Sequence, residues 1–272
     1  MRLAMAQIST GTDPHTNLTR IIDETRRAAS AGADLIVFPE AAMCRFGVSL
    51  TDVAQPLDGP WASRIADVAT EVGISVVAGM FTPSDDGRIH NTLLVARPGL
   101  RPIGYDKIHL FDAFGFSESA TIAPGDRTVI AEIAGHEVGF ATCYDIRFPE
   151  LFTELARRGA ELIVVPASWG AGPGKQEQWE LLASARALDS ATHVVAVGQA
   201  LPTDPAARKS SAPTGVGHSR ISDPFGSVIA DYDSGERVDL HDIDLTRTDK
   251  ARAALAIGAN RRDIRSLDGT RA

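Results

Sequence analysis

The stretch Glu137-Val138-Gly139-Phe140-Ala141-Thr142-Cys143-Tyr144-Asp145-Ile146-Arg147-Phe148-Pro149-Glu150-Leu151 holds one of only two cysteines in the chain. Val138 to Ala141 is an apolar run of strand length. The residues that follow carry apolar side chains at helical spacing, with Pro149 early enough for a helix to accept it. This pattern predicts a strand-to-helix elbow with Cys143 at its corner. A thiol there faces the open N–H groups and positive dipole end of a helix, which favour thiolate over thiol. That is where a nucleophile would stand. A lone cysteine is also a common small buried hydrophobe, and the elbow by itself does not choose between the two.

Other residues could serve such a thiol. Glu40 follows Leu35-Ile36-Val37-Phe38-Pro39, so a carboxylate closes a strand buried on both sides, in the place where open α/β sheets carry their sites. It could equally cap the next turn. Lys107, in Tyr105-Asp106-Lys107-Ile108-His109-Leu110-Phe111-Asp112, reads in isolation as a solvated surface charge. Glu118 lies in the same irregular connection, which runs to Pro124-Gly125-Asp126, and long irregular connections are often functional. His109 competes with Glu40 as a base for Cys143, although its sequence neighbours offer no evident orienting group.

The elements that must position these groups alternate. Strands are predicted at 3–8, 35–38 and 75–80, helices at 14–31 and 61–72, and a hairpin at 91–96 and 102–105 across the turn Arg97-Pro98-Gly99. The layout then recurs. Gly32-Ala33-Asp34-Leu35-Ile36-Val37-Phe38-Pro39 matches Gly159-Ala160-Glu161-Leu162-Ile163-Val164-Val165-Pro166, 127 positions on. Val76-Val77-Ala78 matches Val194-Val195-Ala196, Pro98-Gly99 matches Pro224-Phe225-Gly226, and Tyr105 matches Tyr232. Order and spacing together imply a duplication. Two such halves would pack sheet on sheet with helices outside, giving a four-layer α-β-β-α sandwich with an internal pseudo-twofold repeat. The repeat partner of Glu40 is Ala167, so the carboxylate belongs to one copy alone.

The chain has 272 residues, 44% of them hydrophobic, and a formal net charge of -8, which argues against general binding to nucleic acid or anionic membrane. The expectation is a single domain over 1–272. No apolar run approaches the roughly 20 residues of a membrane span, and the N-terminus lacks a signal-peptide pattern. Cys44 and Cys143 are too few for a disulfide framework and lack zinc-ligand spacing, which suits a reducing, cytoplasmic setting.

Phe38-Pro39-Glu40, Tyr105 to Asp112 and Cys143 to Leu151 resemble the three signature blocks of the nitrilase superfamily of carbon-nitrogen hydrolases. Glu118-Ser119, Pro124-Gly125-Asp126 and Gln178 to Ala187 are similar to that family as well. The resemblance implies the same α-β-β-α sandwich, a homodimer or higher homo-oligomer, and a Glu-Lys-Cys triad. Carried over, Cys143 is the nucleophile, Glu40 the general base, Lys107 the oxyanion stabiliser and Glu118 a further glutamate near the leaving amine. Within the superfamily, Cys143 to Leu151 and the segment His109-Leu110-Phe111-Asp112-Ala113-Phe114 resemble omega-amidases and deaminated glutathione amidases. N-carbamoyl amino acid hydrolases with paired arginines after the cysteine have one where this chain has Ile146.

The implied chemistry accounts for the residue types. An amide is a weak electrophile with a poor leaving group, so it needs an activated nucleophile, a stabilised oxyanion and a proton for nitrogen. The Tyr144 backbone N–H would join Lys107 at the oxyanion, and the substrate would be a small carboxylate-bearing amide that loses ammonia. No metal or organic cofactor has a role in this scheme. Arg147 could bind a substrate carboxylate, although Glu150 three residues on makes a structural ion pair the plainer expectation. Trp169, in the Gly-rich segment 167–174, reads as a pocket wall; the segment lacks a phosphate-loop ending. Cys44 reads as a buried spectator, and Trp179 as packing or a dimer face. A non-catalytic thiol sensor on the same scaffold is the alternative of another class, and the intact set of Glu40, Lys107, Glu118 and Cys143 argues against it.

Overall fold

The computed structural model describes residues 1–262 apart from Phe114, Lys209 and Ser211. The end of the 109–114 segment and residues 263–272 of the expected domain therefore lie outside the described residues. The elements are β1 (Arg2–Gln7), α1 (Pro14–Ser30), β2 (Leu35–Val37), α2 (Pro60–Val72), β3 (Ser75–Pro83), β4 (Ile89–Ala96) and β5 (Ile103–Asp106), then β6 (Ile130–Ile133) and β7 (His136–Phe140). They continue with α3 (Pro149–Arg157), β8 (Leu162–Ala167), α4 (Lys175–Ser190), β9 (His193–Gly198), α5 (Pro205–Arg208), β10 (Arg220–Ser222), β11 (Val228–Asp231), β12 (Arg237–Asp242) and α6 (Thr246–Leu255). The predicted helices and strands are present, with ends shifted by a few residues. Helix starts follow local chemistry: Asp13 caps α1 by accepting from the His15 and Thr16 N–H groups, and Pro14, Pro60 and Pro149 open α1, α2 and α3.

The strands form two six-stranded sheets, ordered β12-β1-β2-β3-β4-β5 and β11-β10-β9-β8-β7-β6. The register displays the duplication. Leu3 pairs with Leu35 across β1 and β2, and Val138 with Leu162 across β7 and β8. Leu35 also pairs with Ser75, and Leu162 with His193. Because Leu35 and Leu162 are repeat partners, Leu3 corresponds to Val138, and Ile8 therefore to Cys143. In the position of the thiol, copy one has a buried isoleucine. Each sheet is completed by a strand that follows the other copy: β6, after copy one, pairs with β7, and β12, after copy two, pairs with β1.

Side-chain alternation builds the layers. Leu3, Met5, Leu35, Val37 and Val77 meet Val138, Phe140, Leu162, Val164 and Val195 between the sheets. Ala4, Ala6, Ile36, Val76 and Ala78 face outward onto Ile21 and Ala28 of α1 and Trp61, Ala62 and Ile65 of α2. Ile163, Val165, Val194 and Ala196 face Phe152 and Leu155 of α3 and Trp179 and Ala183 of α4. The result is the α-β-β-α sandwich. Each fully buried Leu, Val or Phe contributes about 1.5–3 kcal/mol, which makes this three-layered apolar packing the main support of the fold. Among the described residues, no helix is long and apolar enough to cross a membrane.

Candidate active site

Glu40 leaves β2 where the chain crosses β3. Gly79 donates to the Pro39 carbonyl at 3.1 Å and accepts from Met43 N–H at 2.8 Å, and a methyl group on Gly79 would lie 2.8 Å from Glu40 Cα. Only glycine allows that crossing. Ala41 turns the chain away at φ 56°, which directs the Glu40 side chain inward, where it is 1% exposed. Its Oε2 accepts from Ser168 N–H at 2.7 Å, and its Oε1 from Asn91 Nδ2 at 2.7 Å.

Lys107 follows β5 and is held by its backbone, donating to the Asn91 carbonyl at 2.9 Å and accepting from Gly125 N–H at 2.8 Å. Its ammonium reaches Glu40 Oε1 at 3.3 Å and Glu118 Oε1 and Oε2 at 3.0 and 2.8 Å. Glu118 opens a 3₁₀ turn and also accepts from Phe111 N–H at 2.6 Å. Thus Lys107, expected from its sequence context alone to be solvated, is 2% exposed between two carboxylates. Burial works against the ammonium, but Glu40 and Glu118 outweigh it, and the net shift holds Lys107 protonated.

Cys143 begins a 3₁₀ turn, Cys143–Arg147, that precedes α3. Its φ of 48° is the left-handed region, costing about 1–3 kcal/mol for a residue with a Cβ. The elbow is as predicted; the ionisation is not. Burial, then the Glu40 charge, push the thiol well above its usual pKa, and Lys107 only partly opposes them. Cys143 is therefore a thiol at neutral pH rather than the thiolate expected from the helix end. A neutral thiol beside a carboxylate requires proton transfer during attack, and Glu40 is within hydrogen-bonding reach of it.

The sequence reading missed the groups that fix this geometry. Asn91, in the middle of β4, touches both Glu40 and Glu118, the latter at 3.3 Å. An asparagine in a central strand is unusual and was the available signal. Asp145, fully buried, accepts from Tyr105 Oη at 2.6 Å, Thr142 N–H at 2.9 Å and His109 N–H at 2.9 Å, and pairs with His109 Nδ1 at 2.7 Å. It ties β5 and the Lys107 connection to the Cys143 elbow. His109 thus has an orienting partner after all, but it stacks on Phe148 with ring centroids 3.7 Å apart and does not line the cavity. Glu40, not His109, is the carboxylate or imidazole group within hydrogen-bonding reach of the thiol.

Glu40, Lys107, Glu118, Cys143 and Tyr144 line one cavity of about 450 Å³. The Tyr144 N–H, second in its turn, is not taken by a backbone carbonyl among the described residues. Trp169 forms part of the wall, as expected, and its Nε1 donates to the Lys175 carbonyl at 2.8 Å. Arg147 does not line the cavity, and the expected pair with Glu150 is replaced by a 2.6 Å bond to Gln178 Oε1, with its guanidinium 5.3 Å from the Trp169 ring centre. Trp179 is fully buried and packs 5.2 Å from Trp169, and Cys44, also fully buried, contacts the Thr12 carbonyl.

The sequence pattern of the carbon-nitrogen hydrolases matches residues 2–253. The chain belongs to the carbon-nitrogen hydrolase family. This hydrolase is 53% identical to a Mycobacterium tuberculosis protein described as a hydrolase, over 98% of each chain. It is 34% identical to omega-amidase NIT2 of Xenopus tropicalis, over 98% of this chain and 97% of the relative. Among solved structures it is similar to Saccharomyces cerevisiae Nit3 of the nitrilase superfamily, with TM-score 0.81 and 26% identity over 98% and 97% of the two chains. The fold and resemblance expected from the signature blocks are those of the hydrolase, an enzyme acting on carbon-nitrogen bonds.

Proposed function

We propose that the protein hydrolyses the amide of a small linear acid that carries a second carboxylate, releasing ammonia through a thioester on Cys143. The observation that carries the reading is the buried contact of Lys107 with Glu40 and Glu118 beside a protonated thiol. Glu40 takes the Cys143 proton as sulfur attacks the amide carbon. The carbonyl electrons move to oxygen, where the Lys107 ammonium and the Tyr144 N–H hold the oxyanion; a donor of this kind is worth about 10²- to 10³-fold in turnover. Glu40 returns its proton to nitrogen, the C–N bond breaks and ammonia leaves. Glu40 then removes a proton from water, which attacks the thioester and frees the acid and the thiol. Glu118 holds the Lys107 ammonium and lies near the departing amine.

An anionic substrate is supported by the cavity's charge. Its lining side chains include two carboxylates, Glu40 and Glu118, and three cations, Lys107, Lys175 and Arg208, in a chain of net charge -8. Arg147 stands outside the cavity and Ile146 is apolar, which tells against an arginine-paired N-carbamoyl hydrolase. We place the enzyme in the cytoplasm, where two free thiols persist, and as a homodimer, with exposed Leu181 and Leu188 of α4 supporting contact between copies. Ammonia release should be measured across omega-amides, deaminated glutathione, neutral amides, N-carbamoyl amino acids and nitriles. The highest kcat/KM is expected for a monoamide with a distal carboxylate; preference for the carbamoyl compounds or nitriles would overturn the reading.

A further inference from the structure

Lys175 opens α4 and lines the cavity that holds Cys143. Its backbone is fixed at both ends of the peptide unit: its N–H donates to the Gly172 carbonyl at 3.1 Å, and its own carbonyl accepts from Trp169 Nε1 at 2.8 Å. The side chain runs along aromatic surface, with Nζ 5.2 Å from the Phe111 ring centre and 5.5 Å from that of Trp169. Both rings belong to the cavity wall. A rigid stem and an aromatic cradle aim this cation at the interior of the site, where a freely rotating surface lysine would spread over many positions.

The surroundings sharpen its preference for an anion. Burial, with Arg147 nearby, pulls the ammonium below the ordinary lysine value, and Lys175 and Cys143 line the same cavity. The α4 N-terminus adds its partial positive charge at the same place. Glu40 and Glu118, the carboxylates of the wall, are both bonded to Lys107. Cys143, Phe111, Trp169 and Lys175 thus line one cavity, with the Lys175 ammonium lying against the two rings.

We propose that Lys175 is a specificity-determining residue that binds the distal carboxylate of the substrate, with Phe111 and Trp169 flanking the methylene chain between that carboxylate and Cys143. This rests on the amidase reading above and names the group that selects its substrate class. A desolvated carboxylate without a partner is costly, so the contact accounts for selection of an acid over a neutral amide of the same shape. Chains longer than the cavity, or with a cationic end, are disfavoured.

The test compares succinamate with succinamide, a neutral amide of nearly the same size, by ammonia release. The unmodified enzyme is expected to prefer succinamate in kcat/KM. In Lys175→Met the ratio of the two kcat/KM values should fall about 10- to 100-fold, the usual effect of losing one charged hydrogen bond. The loss should lie mainly in KM, because the distant carboxylate is bound alike in ground and transition states. Lys175→Arg should restore most of the ratio, which a merely structural role for the methylene stem would not require. A ratio in Lys175→Met within about threefold of the parent overturns the proposal while leaving the amidase reading intact. Should the parent release no ammonia from either compound, the amidase reading fails, and protection of Cys143 from iodoacetamide by succinate still tests Lys175. Protection in the parent that is lost in Lys175→Met supports it; no protection in the parent overturns it.

Discussion

Replacing Lys107 by methionine keeps the unbranched stem of the side chain and removes its terminal ammonium from between two buried carboxylates. At 3.3 Å from Glu40 and 2.8 Å from Glu118, an effective dielectric of about 20 gives gross attractions of about 5 and 6 kcal/mol. Much of this is offset by burying the ammonium and by repulsion between the glutamates. The net cost of deleting one partner of a buried ionic group is about 3–5 kcal/mol. At about 2–4 °C per kcal/mol, Tm should fall by roughly 6–20 °C. Turnover should fall further than unfolding explains, by about 10²- to 10³-fold, if the proposed oxyanion donor is lost. The assay is ammonia release at a temperature where circular dichroism finds the variant folded, alongside thermal unfolding. The wild-type Lys107 pKa is raised, so its contribution is complete below the unfolded value of about 10.4 and constant across an assay range of pH 6–9. A folded Lys107→Met enzyme with turnover within about threefold of the parent would refute the assigned role, and an unchanged Tm would refute the electrostatic reasoning.

Cys143 should react with iodoacetamide before Cys44, since it lines the cavity beside Glu40 whereas Cys44 is sealed, and Glu40→Gln should slow that labelling; equal labelling of both thiols would contradict the assignment. Because the folded Cys143 pKa is raised, its stabilising share is present below the unfolded value of about 8.5 and is lost as pH rises, by up to about 1.4 kcal/mol per pH unit. Urea unfolding at pH 7.5, 8.5 and 9.5 should therefore show the parent losing stability relative to Cys143→Ala as pH rises; a constant difference would contradict the raised pKa. Asp145→Asn puts an amide N–H₂ against donors that Asp145 now accepts, so it should cost about 1–3 kcal/mol and reduce kcat by misplacing the elbow and the Lys107 connection together; unchanged kcat and Tm would remove Asp145 from that role.

Much of the fold was legible because its central strands are buried on both sides and so read as apolar runs. The matching segments at 32–39 and 159–166 became β2 and β8, and the shorter spacing of Val76 and Val194 reappears in the Ser75 and His193 pairings. Strand β12, Arg-Val-Asp-Leu-His-Asp, is charged and half exposed, so nothing local marks it as a closing strand. The site divides the same way. Glu40 and Cys143 end apolar strands and stand out, whereas Lys107 in isolation looks like any surface lysine until β5 sets it between Glu40 and Glu118. Asn91 meets Glu40 and Glu118, and Asp145 meets Tyr105 and His109, across gaps of many residues, and that arrangement has no local pattern. The helix end that pulls Cys143 toward thiolate is local and visible, while the burial and the Glu40 charge that outweigh it are tertiary.

The central claim is the covalent step, and it is tested by mass spectrometry of enzyme quenched during turnover of a carboxylate-bearing monoamide, with hydroxylamine in a parallel reaction. The acyl group should appear on the peptide containing Cys143, and hydroxylamine should divert it to the hydroxamate. Ammonia release with neither adduct nor hydroxamate, under conditions where deacylation limits turnover, would mean direct attack by water and contradict the account.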